Sequence, residues 1–112
     1  NALSHEVFGQ LNAALDQAEQ DKAVVVLTGQ PGIFSAGYDL KVMNESPEAA
    51  GALVKVGSTF AKRLLSFPTP VVSVCTGHAV AKGAFLLLST DLRIGVGPVI
   101  TASVCRARSR SV

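Results

Sequence analysis

The sequence predicts an α/β domain with largely parallel, buried strands. Runs rich in β-branched residues cover Ala23–Thr28, Val71–Cys75 and Leu92–Val96, and stretches with helical spacing lie between them. A short continuous apolar run is typical of a strand buried on both faces. Alternation of such strands with helices favours parallel pairing, because each parallel connection needs a crossover.

Two long helices are predicted from their start signals and their apolar spacing. The first runs from Ser4 to about Gln20, with Ser4 as the N-cap residue. The second begins at Ser46-Pro47-Glu48, which combines a capping serine, a proline at the first helical position and an acid in the first turn. It carries apolar residues on one face and ends before Pro68.

A third helix is expected at Ala84–Leu88, opening near Gly83. Residues 29–39 contain three glycines and a proline and are predicted to be a loop, and residues 76–78 a turn. From about Gly97 the helical and strand periodicity is lost, and the end of the chain is a mixture of serine and arginine. We therefore predict a domain at residues 1–96 and a poorly ordered tail at 97–112, whose abrupt change of composition suggests a frameshift or an artificial end.

The composition excludes several classes of protein. Hydrophobic residues make up 48% of the chain and charged residues 16%, which argues against disorder. Three of the ten basic residues, Arg106, Arg108 and Arg110, lie in the tail, and eight acidic residues offset the rest. The body therefore has no electrostatic footprint for nucleic acid, and three arginines are too few for strong phosphate affinity.

The cysteine content and the lack of targeting segments favour a cytoplasmic protein. Cys75 lies in an apolar run and is predicted to be a buried thiol, and with Cys105 as the only other cysteine a disulfide framework is not expected. No stretch resembles a signal peptide or reaches membrane-spanning length. His5-Glu6 begins like a zinc-protease motif, but Gly9 stands where the second histidine belongs, so no metal site is predicted.

Two loops rich in small residues follow two of the buried strands. In parallel sheets, ligands usually bind at the carboxyl ends of strands. Small residues let a ligand approach the main chain, and two neighbouring loops can offer two N–H donors to an oxyanion. Composition alone favours ordinary tight turns, because glycine and alanine are common in loops. The residues concerned are Ser35, Ala36 and Gly37 in the first loop, and Gly77, Ala79, Ala81 and Gly83 in the second.

Asp39 and Asp91 are candidates for a pair of catalytic carboxylates. Each lies beside a turn or a helix end, where aspartate more often caps the backbone. The capping interpretation is therefore favoured for both residues.

The sequence resembles the enoyl-CoA hydratase/isomerase (crotonase) family. Ile33–Leu40 (IFSAGYDL) is similar to the family's F-S-A-G-x-D-L motif, and Pro68–Ala79 (PTPVVSVCTGHA) resembles its next motif, continuing to Ile94. Asn1–Ser4 resembles the family's lead into its first helix. The likeness covers residues 1 to about 96 in the family's order and spacing.

The resemblance implies a fold, a ligand and a set of site residues. The family folds as a spiral of ββα turns, assembles into trimers or hexamers, and stabilises the enolate of acyl-CoA thioesters in fatty acid metabolism. Two backbone N–H groups form its oxyanion hole, and by motif these fall on Tyr38 and Lys82. No separate cofactor is implied, because coenzyme A is part of the substrate. The expected substrate-binding residues are Phe34, Ser35, Ala36, Gly37, Asp39, Leu40, Gly83 and Phe85.

Departures from the family pattern concern the acid/base side chains. A typical hydratase has glycines at positions 81–83 and a glutamate where Phe85 stands, and phenylalanine transfers no proton. The region of the second glutamate corresponds to the serine/arginine tail. The resemblance thus implies an isomerase-like rather than hydratase-like parent, and an inactive fragment lacking the family's N-terminal hairpin and C-terminal helices. The alternative is a non-catalytic acyl-CoA-binding or assembly module of the same fold.

Overall fold

The computed structural model describes residues 2–95 of the chain. The described residues alternate between strands and helices, as the sequence predicts. In chain order the elements are β1 (Ala2–Leu3), α1 (His5–Asp21), β2 (Val25–Thr28), β3 (Gly32–Ser35), β4 (Gly37–Tyr38), α2 (Leu40–Met43), α3 (Pro47–Leu65), β5 (Val71–Cys75), β6 (Gly77–Ala79), α4 (Lys82–Leu88) and β7 (Leu92–Gly95). The predicted tail at 97–112 lies outside the described residues, so the boundary after residue 96 stays a prediction.

All the named strand pairs are parallel, which confirms the predicted fold class. Strands β2, β5 and β7 form one sheet in that order, β3 pairs with β6, and β1 pairs with β4. Strand β2 is followed by β3, β4 and helix α3, and β5 is followed by β6 and α4. The chain therefore makes two successive turns in which strands of separate sheets precede a helix. Corresponding strands of the two turns lie side by side, which is a ββα spiral.

The prediction that residues 23–28 are buried on both faces is wrong. Val24 and Val26 have exposed fractions of 58% and 61%, and in β7 Ile94 is exposed to 50%. Both strands are at the edges of the described sheet, and the faces that carry these side chains are not covered by residues 2–95. The central strand β5, in contrast, buries Val71, Ser73 and Cys75 completely.

The predicted loop at 29–39 and the predicted turn at 76–78 contain strands. β3 and β4 lie within the first segment, and β6 begins within the second. These strands are two to four residues long and contain glycines, so local composition indicates a turn. Their strand conformation depends on pairing with residues far away in the chain, such as Gly32 with Gly77.

The predicted helix starts are confirmed by their caps. The Val7 N–H donates to Ser4 Oγ over 3.2 Å, and the Ala49 N–H donates to Ser46 Oγ over 3.0 Å, with Pro47 at the first position of α3. Helix α4 begins at Lys82, two residues before the predicted start, and no side chain caps it.

The core lies between the helices and the sheet. Phe8 of α1 and Phe60 of α3 are buried, with ring centroids 5.5 Å apart. At the edge of this contact Arg63 donates to Asp16 Oδ1 at 2.6 Å and to Asn12 Oδ1 at 3.0 Å. The two helices are thus held together by an apolar contact in the centre and a polar contact at the rim. Their packing fixes the platform on which the β4 loop lies.

Cys75 is fully buried, as predicted, but it is not a free thiol. The structure has no free cysteine among the described residues, and Cys75 is disulfide-bonded.

Candidate functional site

The first loop of the candidate site connects β3 to β4. Ser35, at the end of β3, is 3% exposed, and its Oγ accepts a hydrogen bond of 3.1 Å from the Gly37 N–H. Gly37 has a φ of 97°, a conformation that side-chain-bearing residues rarely adopt. The serine and the glycine together turn the chain sharply into Tyr38.

The second loop connects β6 to α4. Ala81 precedes the helix with φ 51° and ψ −122°, a region that glycine ordinarily occupies. This bend places Lys82 at the first position of α4. The N–H groups of the first helical turn have no acceptor within their own helix, and the main-chain N–H of Lys82 is the first of these.

The two loops are in direct contact. The Val80 N–H donates to the Ser35 carbonyl oxygen at 2.9 Å, which joins the loops through the main chain. A Cβ atom at Gly37 would lie 3.3 Å from the Lys82 nitrogen, and one at Gly83 would lie 2.5 Å from the Ser35 carbonyl oxygen. Glycine at 37 and 83 is therefore what lets the loops approach each other so closely.

Tyr38 and Lys82 lie on the two loops that contact each other. Leu3 is in register with Tyr38, and the Asp39 N–H donates to the Leu3 carbonyl oxygen at 2.9 Å. Because the donors of a strand alternate in direction, the Tyr38 N–H points away from β1. Two main-chain donors on adjacent loops are the arrangement that the sequence resemblance predicts for an oxyanion, and that role stays a prediction.

The side chain of Tyr38 packs between helices α1 and α3. Its ring centroid lies 6.2 Å from that of Phe8, and a Cβ atom at Gly57 would collide with its hydroxyl group. Gly57 lies on the buried face of α3, and its position on the apolar stripe of that helix is the sequence signal for this contact. The ring of Tyr38 is therefore seated on the helical platform.

The side chain of Lys82 lies over this ring. Its Nζ atom is 5.8 Å from the centroid of Tyr38, within the range of a cation–π contact. Desolvation by burial lowers the pKa of the Lys82 ammonium group and raises the pKa of the Tyr38 phenol. Both shifts favour the neutral form, because partial burial disfavours charge.

The structure brings together only part of the predicted set of binding residues. Phe34 is 5% exposed and belongs to the core, whereas Leu40 and Phe85 are exposed to 71% and 61%. Asp39 caps α2 by accepting from the Lys41 N–H at 2.9 Å. Ala36 is exposed at the turn between β3 and β4. The ligand-binding roles of these residues stay predictions.

Asp39 and Asp91 do not form a carboxylate pair with a common partner. The Asp91 carboxylate accepts from the Val71 N–H at 2.7 Å, and the Asp91 N–H donates to the Val71 carbonyl oxygen at 2.8 Å. Asp91 therefore holds the start of β5, and Asp39 holds the start of α2. The capping interpretation of both residues is confirmed.

An apolar cavity of about 260 Å³ adjoins the first loop. It opens between α1, the carboxyl end of β2 and α4, beside Ser35. No local sequence pattern predicts this cavity, because its walls come from five separate elements and the loop between β2 and β3. The lining residues are Ala2, Leu3, Val7, Leu11, Leu27, Thr28, Gly29, Gln30, Phe34, Ser35 and Leu86.

Two searches of the described residues bear on other classes of site. Within residues 2–95, no three His, Cys, Asp or Glu side chains lie close enough together to hold a metal ion. No helix in the same part of the chain is long and apolar enough to cross a membrane.

Comparison with known proteins agrees with the fold and the loops. The family model described as enoyl-CoA hydratase/isomerase matches residues 1–99. A probable enoyl-CoA hydratase of Bacillus subtilis is 33% identical over 98 residues, which are 84% of this chain and 38% of that protein. The mitochondrial enoyl-CoA hydratase domain-containing protein 2 of Bos taurus is 34% identical over 104 residues, or 89% of this chain and 35% of that protein.

Solved structures show the same relationship. An enoyl-CoA hydratase/isomerase family protein from Pseudomonas syringae is 64% identical with a TM-score of 0.84, covering 87% of this chain and 43% of the other. An enoyl-CoA isomerase from Mycobacterium tuberculosis is 46% identical with a TM-score of 0.78, covering 83% and 41%.

A parallel ββα spiral with two touching, glycine-dependent loops thus defines a protein of the crotonase class. The chain belongs to the enoyl-CoA hydratase/isomerase family. It spans about two fifths of the length of the relatives that it matches.

Proposed function

We propose that the chain binds acyl-CoA thioesters and stabilises the thioester enolate with the backbone N–H groups of Tyr38 and Lys82. The observation that carries this proposal is the contact between the two loops, in which the Lys82 nitrogen lies 3.3 Å from the Cβ position of Gly37. Two preorganised donors favour the charge that develops on the carbonyl oxygen when the α-proton is removed. The apolar cavity beside Ser35 supports binding of an acyl chain.

The parent reaction proposed here is isomerase-like rather than hydratase-like, within fatty acid metabolism. Phe85 has no ionisable group, and 61% of its surface is exposed at the position where the family motif has a glutamate. Addition of water by two carboxylates therefore lacks one of its partners. By itself, the 112-residue chain is expected to be inactive as a hydratase.

Ligand binding is tested first by thermal unfolding of the 112-residue chain, followed by circular dichroism because the chain has no tryptophan. Octanoyl-CoA at about a hundred times its dissociation constant stabilises a folded protein by roughly 2.7 kcal/mol, a shift of several degrees for a domain of this size. Adenosine serves as the control ligand. An unchanged midpoint with octanoyl-CoA would contradict the proposed binding.

The second candidate function is a non-catalytic acyl-CoA-binding or assembly module. The exposed phenyl ring of Phe85 favours it, because an exposed apolar side chain on α4 suits contact with another surface better than proton transfer. Exchange of the α-protons of octanoyl-CoA in deuterated water separates the two functions. Exchange above the buffer rate supports an enolate-forming site, and binding without exchange supports the module.

The setting of the protein is part of the same proposal. We expect a cytoplasmic protein that assembles as a homotrimer or homohexamer and binds neither nucleic acid nor metal. The exposed Val26 of β2, the exposed Val24 just before it and the exposed Ile94 of β7 support assembly, because uncovered apolar strand faces favour association. Light scattering coupled to size-exclusion chromatography measures the oligomeric state, and a monomer would contradict this part.

A further inference from the structure

The side chain of Tyr38 contacts three helices, although Tyr38 itself lies in the short strand β4. Its ring centroid lies 6.2 Å from that of the buried Phe8 in α1. Its hydroxyl group donates to the Val54 carbonyl oxygen in α3 over 3.5 Å, and the Lys82 Nζ atom of α4 lies 5.8 Å from the ring centroid. The ring of a loop residue is therefore fixed against the helical part of the molecule.

Gly57 makes the room for this ring in α3. It is buried in the middle of the helix, where glycine is less favourable than alanine because it loses more backbone freedom on folding. A Cβ atom there would collide with the Tyr38 hydroxyl oxygen and would lie 2.7 Å from its Cε1 atom and 2.9 Å from its Cζ atom. The tip of the Tyr38 ring thus occupies the space that a methyl group would fill, which we call the Gly57 notch.

The seat of the ring bears on the direction of the Tyr38 N–H group. This N–H belongs to the peptide unit between Gly37 and Tyr38, whose orientation depends on ψ of the glycine and φ of the tyrosine. Gly37 has a φ of 97° and no Cβ atom, so its own sterics restrict the peptide unit only weakly. Tyr38 is held more firmly, by the 2.9 Å bond from the Asp39 N–H to the Leu3 carbonyl oxygen and by the notch. A large part of the restraint is therefore supplied from the Tyr38 side.

We propose that Gly57 is a positioning residue for the proposed reaction: its notch seats the Tyr38 ring, and the seated ring directs the Tyr38 N–H toward the thioester oxygen. This assignment rests on the proposed function, in which that N–H group is one of two donors to the oxyanion. Gly57 acts through Tyr38 and not by contact with the thioester. Because a hydrogen bond weakens steeply when its donor is misaligned, a small displacement of the ring is enough to weaken the stabilisation.

Substitutions can fill or empty the notch without removing the main-chain donor. Gly57→Ala places a methyl group where the ring tip lies, so the ring must leave its seat. Tyr38→Leu removes the ring and retains the N–H group. In the double variant the shorter leucine leaves room for the added methyl group, and exchange of volume between contacting residues is well tolerated.

Two control variants leave the seat intact. Tyr38→Phe retains the ring and loses only the long 3.5 Å contact with the Val54 carbonyl oxygen. Gly51→Ala makes the same chemical change as Gly57→Ala in the same helix, at a position with no atom within 4 Å of the Cβ site.

The test uses octanoyl-CoA labelled with carbon-13 at its carbonyl carbon, bound at saturation to the 112-residue chain and observed by NMR. Hydrogen bonds to the thioester oxygen polarise the carbonyl group, so we expect the bound resonance to lie downfield of the free one. Gly57→Ala and Tyr38→Leu should each lose most of this shift, whereas Gly51→Ala and Tyr38→Phe should keep it. The double variant should regain the shift that either single variant loses. Circular dichroism checks that each variant is folded.

The outcomes separate this inference from the proposed function. If octanoyl-CoA does not bind saturably, or if its bound and free carbonyl resonances coincide in the unmodified chain, the proposed function fails and this inference fails with it. A downfield shift that either single variant retains would overturn the positioning role alone. Loss of the shift without recovery in the double variant would also overturn it, because the loss would then reflect general damage to packing. If Gly57→Ala does not fold, a shift that is the same in Tyr38→Leu and Tyr38→Phe overturns the role.

Discussion

The two loops of the candidate site make comparable bends with different residues. The first loop places its positive φ of 97° on Gly37, which has no Cβ atom to strain. The second loop places φ 51° and ψ −122° on Ala81, where a Cβ atom makes the conformation costly by about 1–3 kcal/mol. The first bend is built into the local sequence. The second is imposed by its neighbours, through the bond from the Val80 N–H to Ser35 and the close packing of Gly83.

This difference teaches that the conformation of a loop depends on its contacts as much as on its residue types. If the first loop supports the second, a substitution that pushes the two loops apart should cause the largest loss in the free energy of unfolding. A change that removes strain inside the second loop should have a smaller and opposite effect. The following predictions are ordered by that expectation.

The largest effect is expected from Gly83→Ala. The added methyl group would lie 2.5 Å from the Ser35 carbonyl oxygen and 2.8 Å from its Cβ atom, so one loop must move away from the other. We expect a loss of about 3 kcal/mol in the free energy of unfolding, measured by urea denaturation, as for an overpacked core. Octanoyl-CoA binding should weaken as well.

Gly51→Ala is the matched control for this change. Gly51 lies in α3 with no atom within 4 Å of its Cβ position, so alanine should stabilise the helix there by roughly 0.5–1 kcal/mol. Equal effects of the two substitutions would show that the contact between the loops contributes nothing.

Gly37→Ala is expected to cost about 2 kcal/mol. It combines a positive φ of 97° with contacts of 3.2 Å to the Ala81 Cβ atom and the Val80 carbonyl oxygen. Gly32 has a φ of 84° but open space at its Cβ position, so Gly32→Ala measures the cost of the backbone conformation without a steric clash. Both variants are measured by chemical denaturation. A larger loss in the free energy of unfolding for Gly32→Ala than for Gly37→Ala would contradict close packing of the two loops at Gly37.

Ala81→Gly should stabilise the protein by about 1 kcal/mol. Glycine removes the strain at φ 51°, and part of the gain is offset by the greater freedom of glycine in the unfolded chain. The measurement is again the midpoint and slope of denaturation. Ala84→Gly, inside α4, is the control and should destabilise by about 1 kcal/mol. Destabilisation of the same size by both changes would show that Ala81 is unstrained.

The smallest expected effect is a pH dependence of the free energy of unfolding that arises from Tyr38 and Lys82. The folded pKa of Lys82 lies below its ordinary value of 10.5, so between these two values the unfolded chain binds more protons and stability rises with pH. The raised pKa of Tyr38 acts in the opposite sense, and stability falls as pH rises above its ordinary value of 10.0. Lys82→Met should remove the rise and keep the fall. An unchanged pH profile in this variant would show that burial does not perturb Lys82.

The sequence was most informative where structure is local. Ser4 and Ser46 predicted the starts of the two long helices, and both serines accept the expected hydrogen bonds. The runs of β-branched residues predicted β2 and β5, because such residues are enriched in strands that are buried on at least one face. The motif around Gly37 indicated the family, and the family model and the solved relatives confirm it.

Sequence reasoning failed where pairing or burial depends on distant residues. The short strands β3, β4 and β6 have turn-like composition and exist only because their partners align them. The exposure of Val26 could not be known, since an apolar run is the same whether one or both of its faces are covered. The walls of the apolar cavity come from five elements and the loop between β2 and β3, so no local sequence pattern predicts the cavity.

By itself, the sequence determined the order of the long elements, the parallel fold class and the family, because caps, periodicity and motifs act over a few residues. The tertiary structure alone decided that Val80 bonds to Ser35, that Ala81 takes a glycine-like conformation and that Lys82 folds over Tyr38. These features require segments more than forty residues apart to meet. Only the packing of two turns of the spiral against each other brings them together.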